Sequence, residues 1–239
     1  MFLLSTVSQI SNNSEITILS ILAIFTDICQ IIGTIVLIWT AHYAKKQYES
    51  QKTHARITKA AELSKHFCDS LIPIMGKIVL LNNIADVKPL LEKIPLDEIR
   101  LFNYNELSEI IKENELEIFK AALLLKISDV DSNSQDDSTF GSKLSSCLND
   151  LEYFCINFNS KIADTNTVYQ SLHQGIFTIM PIAYIYISSL NKFNADKYYT
   201  NITATYYEWR QIYIRQCQAE KILDHQHNQS CVNTTVMAV

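Results

Sequence analysis

The sequence predicts an all-α protein: one N-terminal membrane-spanning helix that continues into a stalk, followed by a helical bundle of about five or six helices. Three observations predict it. Residues 16–41 are predominantly apolar and carry one formal charge, Asp27, and a dense cluster of lysines follows. Glycine and proline number only four each, too few for the tight turns of sandwiches, barrels or doubly wound sheets. Apolar residues then recur at helical spacing through most of the remaining chain.

The first 19 residues read as a short extracytoplasmic N-terminus. They contain no Lys or Arg, and MFLLSTVSQI lacks the basic start of a cleavable signal peptide. Residues 20–43 read as the span, because about 20 apolar residues are needed to cross a hydrocarbon core ~30 Å thick. Trp39 and Tyr43 stand at its C-terminal end, where interfacial aromatics belong, and Lys45 and Lys46 follow at once. Lysine on that side alone orients the chain, with the N-terminus outside and the rest cytoplasmic. The lysines fix topology and are available to anionic lipid headgroups.

Asp27 falls about one turn inside the outer boundary, where an acid reaches headgroups or water at modest cost. It also belongs to a stripe of small and polar residues: Ser20, Ala23, Asp27, Gln30 and Thr34, with Gly33 beside them. Such a stripe lets two spans approach and hydrogen-bond, so these six residues are the candidates for helix–helix association.

Residues 44–66 read as a helical stalk, polar on all sides up to about residue 56. Ile57, Ala60, Ala61, Ser64, Phe67, Cys68 and Leu71 form the apolar stripe by which it joins a domain spanning 67–224. Asp69-Ser70 looks like a helix restart, with Pro73 in the new first turn. Pro89 and Pro95 punctuate short segments, and Asn105 is the expected N-cap of the next helix. Residues 128–138 read as a solvated acidic linker. Asp129, Asp131 and Asn133 mimic the opening of a calcium loop, but Ser134 and Phe140 stand where Gly and a bidentate Glu are required. Two long helical segments follow, from Phe140 and from Val168. The second is strongly apolar, but His173, Gln174, Gly175 and Pro181 and the lack of a basic flank make it a core helix kinked near Pro181, not a second span. A tyrosine-rich amphipathic helix comes next, and residues 225–239 read as a flexible polar tail.

The net charge of −5 offers no basic surface for nucleic acid. The six cysteines have no C-x-x-C pair, and His225, His227 and Cys231 lack a fourth ligand, so no metal and no cofactor is expected. There is no phosphate-cradling glycine loop and no G-x-S-x-G elbow, and no enzyme is expected. Tyr198, Tyr199, Tyr206, Tyr207, Trp209 and Tyr213 pack the bundle or meet a protein partner. Glu152 and Asp164 are the acids with a claim to a site. The structural reading sets Asn149 and Glu152 one turn apart on one helix, with Asp164 capping the next.

The segments AKKQYESQ, ITKAAELSKHF, LNDLEYFCINFNSKIADTNTVY and YYTNITATYYEW, taken in order, resemble an uncharacterised family of bacterial inner-membrane proteins, a domain of unknown function. The resemblance covers most of the chain. It implies a single span, a Lys/Gln-rich stalk and a cytoplasmic helical domain. It also implies an Asn and a Glu three apart in one helix with an Asp opening the next, here Asn149, Glu152 and Asp164. One departure is that the basic residue typical after the hydrophobic helix is missing from IAYIYISSLN. Two functions are expected of such a chain. The first is a membrane-anchored interaction or regulatory module whose partners are the bilayer and either a second copy or a cytoplasmic protein. The alternative is a membrane-acting effector of a bacterial defence system of the abortive-infection type, assembling through its span.

Overall fold

The computed structural model describes the backbone at residues 2–99, 101–131, 134–193, 195 and 197–236, and the side chains from residue 25 to residue 219 within those ranges. Helix α1 is Phe2–His66, followed by α2 (Ile72–Val79), α3 (Lys88–Glu92), α4 (Tyr104–Ile110), α5 (Glu113–Leu123), α6 (Ile127–Val130), α7 (Phe140–Asn159), α8 (Thr165–Leu190) and α9 (Thr200–Val236). Among the described residues there is no strand, only an isolated antiparallel bridge between Lys126 and Thr139. The long helices correspond to the expected bundle. The short α3 and α6 arise in stretches that the sequence presented as punctuated segments and loop, and α4 is the helix expected at Asn105.

The chain divides into two units, Met1–His54 and Ala55–Val239. Within the first, every described side chain from Phe25 onward is exposed, including Ile31, Ile35, Leu37 and Trp39. Among the described residues one helix, the N-terminal one, is long and apolar enough to cross a membrane, and none of its apolar window is buried. Trp39 and Tyr43 stack with ring centroids 6.0 Å apart. Ser20 and Ala23 lie outside the residues whose side chains are described.

The second unit is built around α8. Ile179, Met180, Ile182, Ala183, Tyr184, Ile185 and Ile187 are buried, so its C-terminal half is covered on all sides. That is the pattern of a core helix, as the sequence suggested, with Pro181 inside it. Helices α2, α4, α7 and α9 pack around it. A chain of aromatic contacts links the elements. Phe67 meets Phe154 at 5.0 Å, Phe154 meets Phe158 at 4.8 Å, Phe158 meets Trp209 at 6.2 Å, and Trp209 meets Tyr169 at 5.7 Å. Gly175 permits a close approach: a Cβ there would stand 3.2 Å from the Phe67 ring.

Five sequence expectations are corrected. The buried stripe at the end of α1 is Ala60, Leu63, Phe67 and Leu71, whereas Ile57, Ala61 and Cys68 are exposed. No helix restart occurs at Asp69-Ser70. A π-turn over Phe67–Leu71 carries the helix directly into α2, placing Phe67 and Leu71 together in the core. Asn103, not Asn105, caps α4: its backbone is extended and its Oδ1 accepts from the Glu106 N–H at 2.9 Å. The acidic stretch is pinned, not a free linker. Asp136 accepts from Lys77 of α2 at 2.7 Å, from Lys143 of α7 at 3.2 Å and from the Ser138 N–H. Helix α9 extends to Val236, past the boundary at 224 that composition suggested.

Hydrogen bonds from Lys77 first, then from Ser138, hold the Asp136 carboxyl well below its ordinary value of 3.8. A depressed folded-state value stabilises the fold above the unfolded value, and that stability fades as pH falls toward the folded one. Asp136→Asn should therefore lower the melting temperature at pH 7. The difference from the parent should narrow progressively as pH drops below about 4, measured by thermal melts across that range.

Candidate functional site

The polar residues singled out in the sequence fall into separate places. Asn149 and Glu152, one turn apart on α7, both face the start of α9. Glu152 Oε1 accepts from the Asn201 backbone N–H at 3.0 Å and from Asn201 Nδ2 at 2.8 Å. Its Oε2 accepts from the Ile202 N–H at 2.9 Å. Asn149 Oδ1 accepts from the Tyr199 hydroxyl at 3.2 Å. A carboxylate from another helix thus takes the first N–H groups of α9, where orphan donors and the positive helix end favour it. Asn159 extends the clasp, donating to the Asn201 backbone and side-chain oxygens at 3.0 Å, while its own oxygen accepts from Thr205 at 3.3 Å. Asn159, Asn201 and Thr205 were not foreseen. The polar positions Asn201 and Thr205, four apart on an otherwise aromatic helix, were the available signal.

Asp164 belongs elsewhere. It caps α8, accepting from the Thr167 N–H at 2.9 Å and from the Thr167 hydroxyl at 2.7 Å. The guanidinium of Arg56 stands 3.9 Å away, and the Asp164 N–H donates to the Arg56 carbonyl at 3.3 Å. The Thr167 hydroxyl is the largest cause holding this carboxyl below its usual range. The structure therefore does not bring Glu152 and Asp164 together as a carboxylate pair. Both are committed to helix starts, α9 and α8 respectively.

A further polar cluster was missed. Glu106 Oε2 accepts from the Leu101 N–H at 2.8 Å and from the Tyr184 hydroxyl at 3.2 Å. Beside it Arg210 donates to the Ile99 carbonyl at 3.2 Å, and Tyr206 donates to the Leu96 carbonyl at 2.7 Å. Asp97, Glu98, Glu106, Tyr207, Arg210 and Gln211 line an open cleft here. Burial pushes the Tyr206 and Tyr207 hydroxyls up to about 12 and that of Tyr184 higher still, so none of them is a proton donor to solvent at neutral pH. The Asn-x-x-Glu spacing of Asn103 and Glu106 was the legible trace of this cluster.

In the first unit Asp27, Gln30 and Thr34 line one shallow groove with Ile31 and Ile35. The Thr34 hydroxyl donates to the Gln30 carbonyl at 2.8 Å, which hides one polar group along the helix. A Cβ on Gly33 would meet nothing within 4 Å. Lys45 and Lys46 are exposed. Among the described residues no three His, Cys, Asp or Glu side chains gather to hold a metal ion. Burial pushes the Cys147 and Cys155 thiols up to about 12, the character of inert core cysteines.

A family model described as a domain of unknown function, DUF4760, matches residues 27–209, and the chain belongs to that family. The match takes in the apolar helix from Asp27 as well as the helical unit up to Trp209. No curated protein matches, and no solved structure matches.

Proposed function

We propose that this member of the DUF4760 family is a membrane-anchored helical interaction module with regulatory and not catalytic work. In this reading α1 crosses the bacterial inner membrane over about residues 20–43, the N-terminus lies outside, and the second unit is cytoplasmic. The observation that carries the reading is the uncovered apolar helix. Phe25, Leu37 and Trp39 are 65, 71 and 68% exposed, and no part of their own unit covers them. Apolar surface on that scale is not sustained against water, and hydrocarbon is the surrounding that suits a helix of this length. Lys45 and Lys46, directly after Tyr43, supply the orientation.

Within the bilayer the span associates with a second copy through the Asp27, Gln30 and Thr34 groove, with Gly33 permitting close approach. A conducting assembly is the second reading, favoured by the polar lining of the same groove. In that case expression of the chain depolarises cells and Asp27→Leu abolishes it, as a membrane-potential dye reports.

The test uses the full chain with a C-terminal reporter. The protein should fractionate with membranes and the reporter should be cytoplasmic. Crosslinking in those membranes should trap a dimer, and Asp27→Leu should weaken it about 3- to 15-fold, the worth of one interhelical hydrogen bond. A soluble protein or a periplasmic reporter overturns the anchor, and unchanged crosslinking overturns the association.

A further inference from the structure

One cleft in the second unit holds charges that do not pair. Its walls are the segment 97–99 and the middle of α9, and Glu106 of α4 lines it too. With Asp97, Glu98, Tyr207, Arg210 and Gln211 it encloses a space of about 900 Å³, within the size range of small-molecule sites. Tyr207, Arg210 and Gln211 share one face of α9, since residues three and four apart are neighbours on a helix.

Opposite charges in one cleft attract, yet here ties to the backbone hold them apart. Arg210 Nη1 is committed to the Ile99 carbonyl, and Glu106 Oε2 to the Leu101 N–H and the Tyr184 hydroxyl. Among the described residues no ion pair takes up Arg210, Asp97 or Glu98. Arg210 Nε and the Tyr207 hydroxyl are buried with no protein partner. Buried polar groups are normally satisfied, so two side chains of this wall have hydrogen bonds still to make. With Nη1 engaged, the Nε–Nη2 edge of Arg210 remains, a fork that matches a carboxylate. The residue is only partly buried, so a small turn of the side chain brings that edge to a ligand. Asp97 and Glu98 are exposed. The described lining thus sets three carboxylates against one guanidinium, and Arg100, next to Ile99, lies outside the described residues. No three His, Cys, Asp or Glu side chains of the described residues converge on a metal position, so these acids suit ammonium groups.

We propose that this cleft binds a basic amino acid: Arg210, with Tyr207, takes the α-carboxylate, and Asp97 and Glu98 take the ammonium groups. A zwitterion with one further positive charge satisfies the guanidinium and offsets the acids at once. Ties to the backbone at Arg210 and Glu106 preorganise the cleft for it, which lowers the cost of binding. The site stands apart from the anchored reading, because every residue in it belongs to the second unit.

The experiment titrates the full chain, in mild detergent, with L-lysine, L-arginine, norleucine and cadaverine by isothermal calorimetry. Lysine or arginine should bind with a Kd below about 1 mM. Norleucine lacks the second ammonium and cadaverine lacks the carboxylate. Each should bind at least about tenfold more weakly, since a site built for a polar group rejects the analogue without it. Asp97→Asn with Glu98→Gln changes exposed side chains and should weaken lysine about tenfold or more, with circular dichroism reporting an unchanged fold. Arg210→Gln should reduce lysine to the level of cadaverine. A Kd above about 1 mM for both lysine and arginine overturns the site. So does cadaverine or norleucine binding as tightly as lysine, and so does unchanged lysine affinity in Asp97→Asn with Glu98→Gln or in Arg210→Gln. Membrane fractionation and reporter topology test the anchor separately, so the two readings fail independently.

Discussion

Trp209→Ala is expected to lower the stability of the second unit by about 3–5 kcal/mol. Trp209 is fully buried, and its ring meets Phe158 of α7 at 6.2 Å and Tyr169 of α8 at 5.7 Å. It is therefore the side chain of α9 that closes the aromatic chain running back to Phe67. Removing it leaves a cavity between three helices that are already fixed by polar clasps, so the walls have little freedom to collapse. The indole Nε1 is buried with no protein hydrogen-bond partner. Trp209→Phe should consequently cost far less, about 1–2 kcal/mol, because it loses ring area and no hydrogen bond. Urea unfolding followed by helical circular dichroism in mild detergent measures both. A loss below about 1 kcal/mol for the Ala variant would mean that α9 is not locked by this residue.

The elements that the sequence made legible are those whose pattern is local. The apolar run of α1 and its abrupt lysines need no partner to be recognised. The apolar run of α8 resembles a second span, but its interruptions at His173, Gln174, Gly175 and Pro181 and its missing basic flank read it as the core helix, and its residues from Ile179 to Ile187 are largely buried. The failures come where tertiary contact chooses between two local options. At the end of α1, two faces carry small or apolar residues at helical spacing. The expected stripe took in both; the approach of Gly175 to Phe67, with the π-turn through Leu71, goes with burial of Ala60, Phe67 and Leu71 and of the unforeseen Leu63, and leaves Ile57, Ala61 and Cys68 exposed. Asn103 and Asn105 are equally good caps by type, and the extended backbone at Asn103 settles it. The site was legible to the same limit. Asn149, Glu152 and Asp164 were correctly read as one turn apart and as a cap. That Glu152 would reach across to residues 201 and 202 follows from helix packing, which no spacing within α7 encodes.

Glu152→Ala is expected to destabilise the second unit by about 2–3 kcal/mol, because a charged acceptor is removed from donors that keep no substitute. Both carboxylate oxygens are engaged: two backbone N–H groups of the first turn of α9 and the Asn201 amide converge on them. Glu152→Gln keeps one acceptor oxygen but turns an amide NH2 toward a row of N–H groups, so it should recover less than half of the loss. Asn149→Ala removes one neutral hydrogen bond, to the Tyr199 hydroxyl, and should cost about 0.5–1.5 kcal/mol. The order Ala worse than Gln at position 152, and position 152 worse than 149, is the signature of a cap supplied from a neighbouring helix. Hydrogen exchange adds a local reading: amides in the first turn of α9 should lose protection in Glu152→Ala, while those of α8, capped independently by Asp164, keep theirs. Equal stability of Glu152→Ala and the parent would detach this carboxylate from the fold and make it a free acid, available for chemistry. The expected loss instead makes the Asn, Glu and Asp of this chain fasteners for α9 and α8.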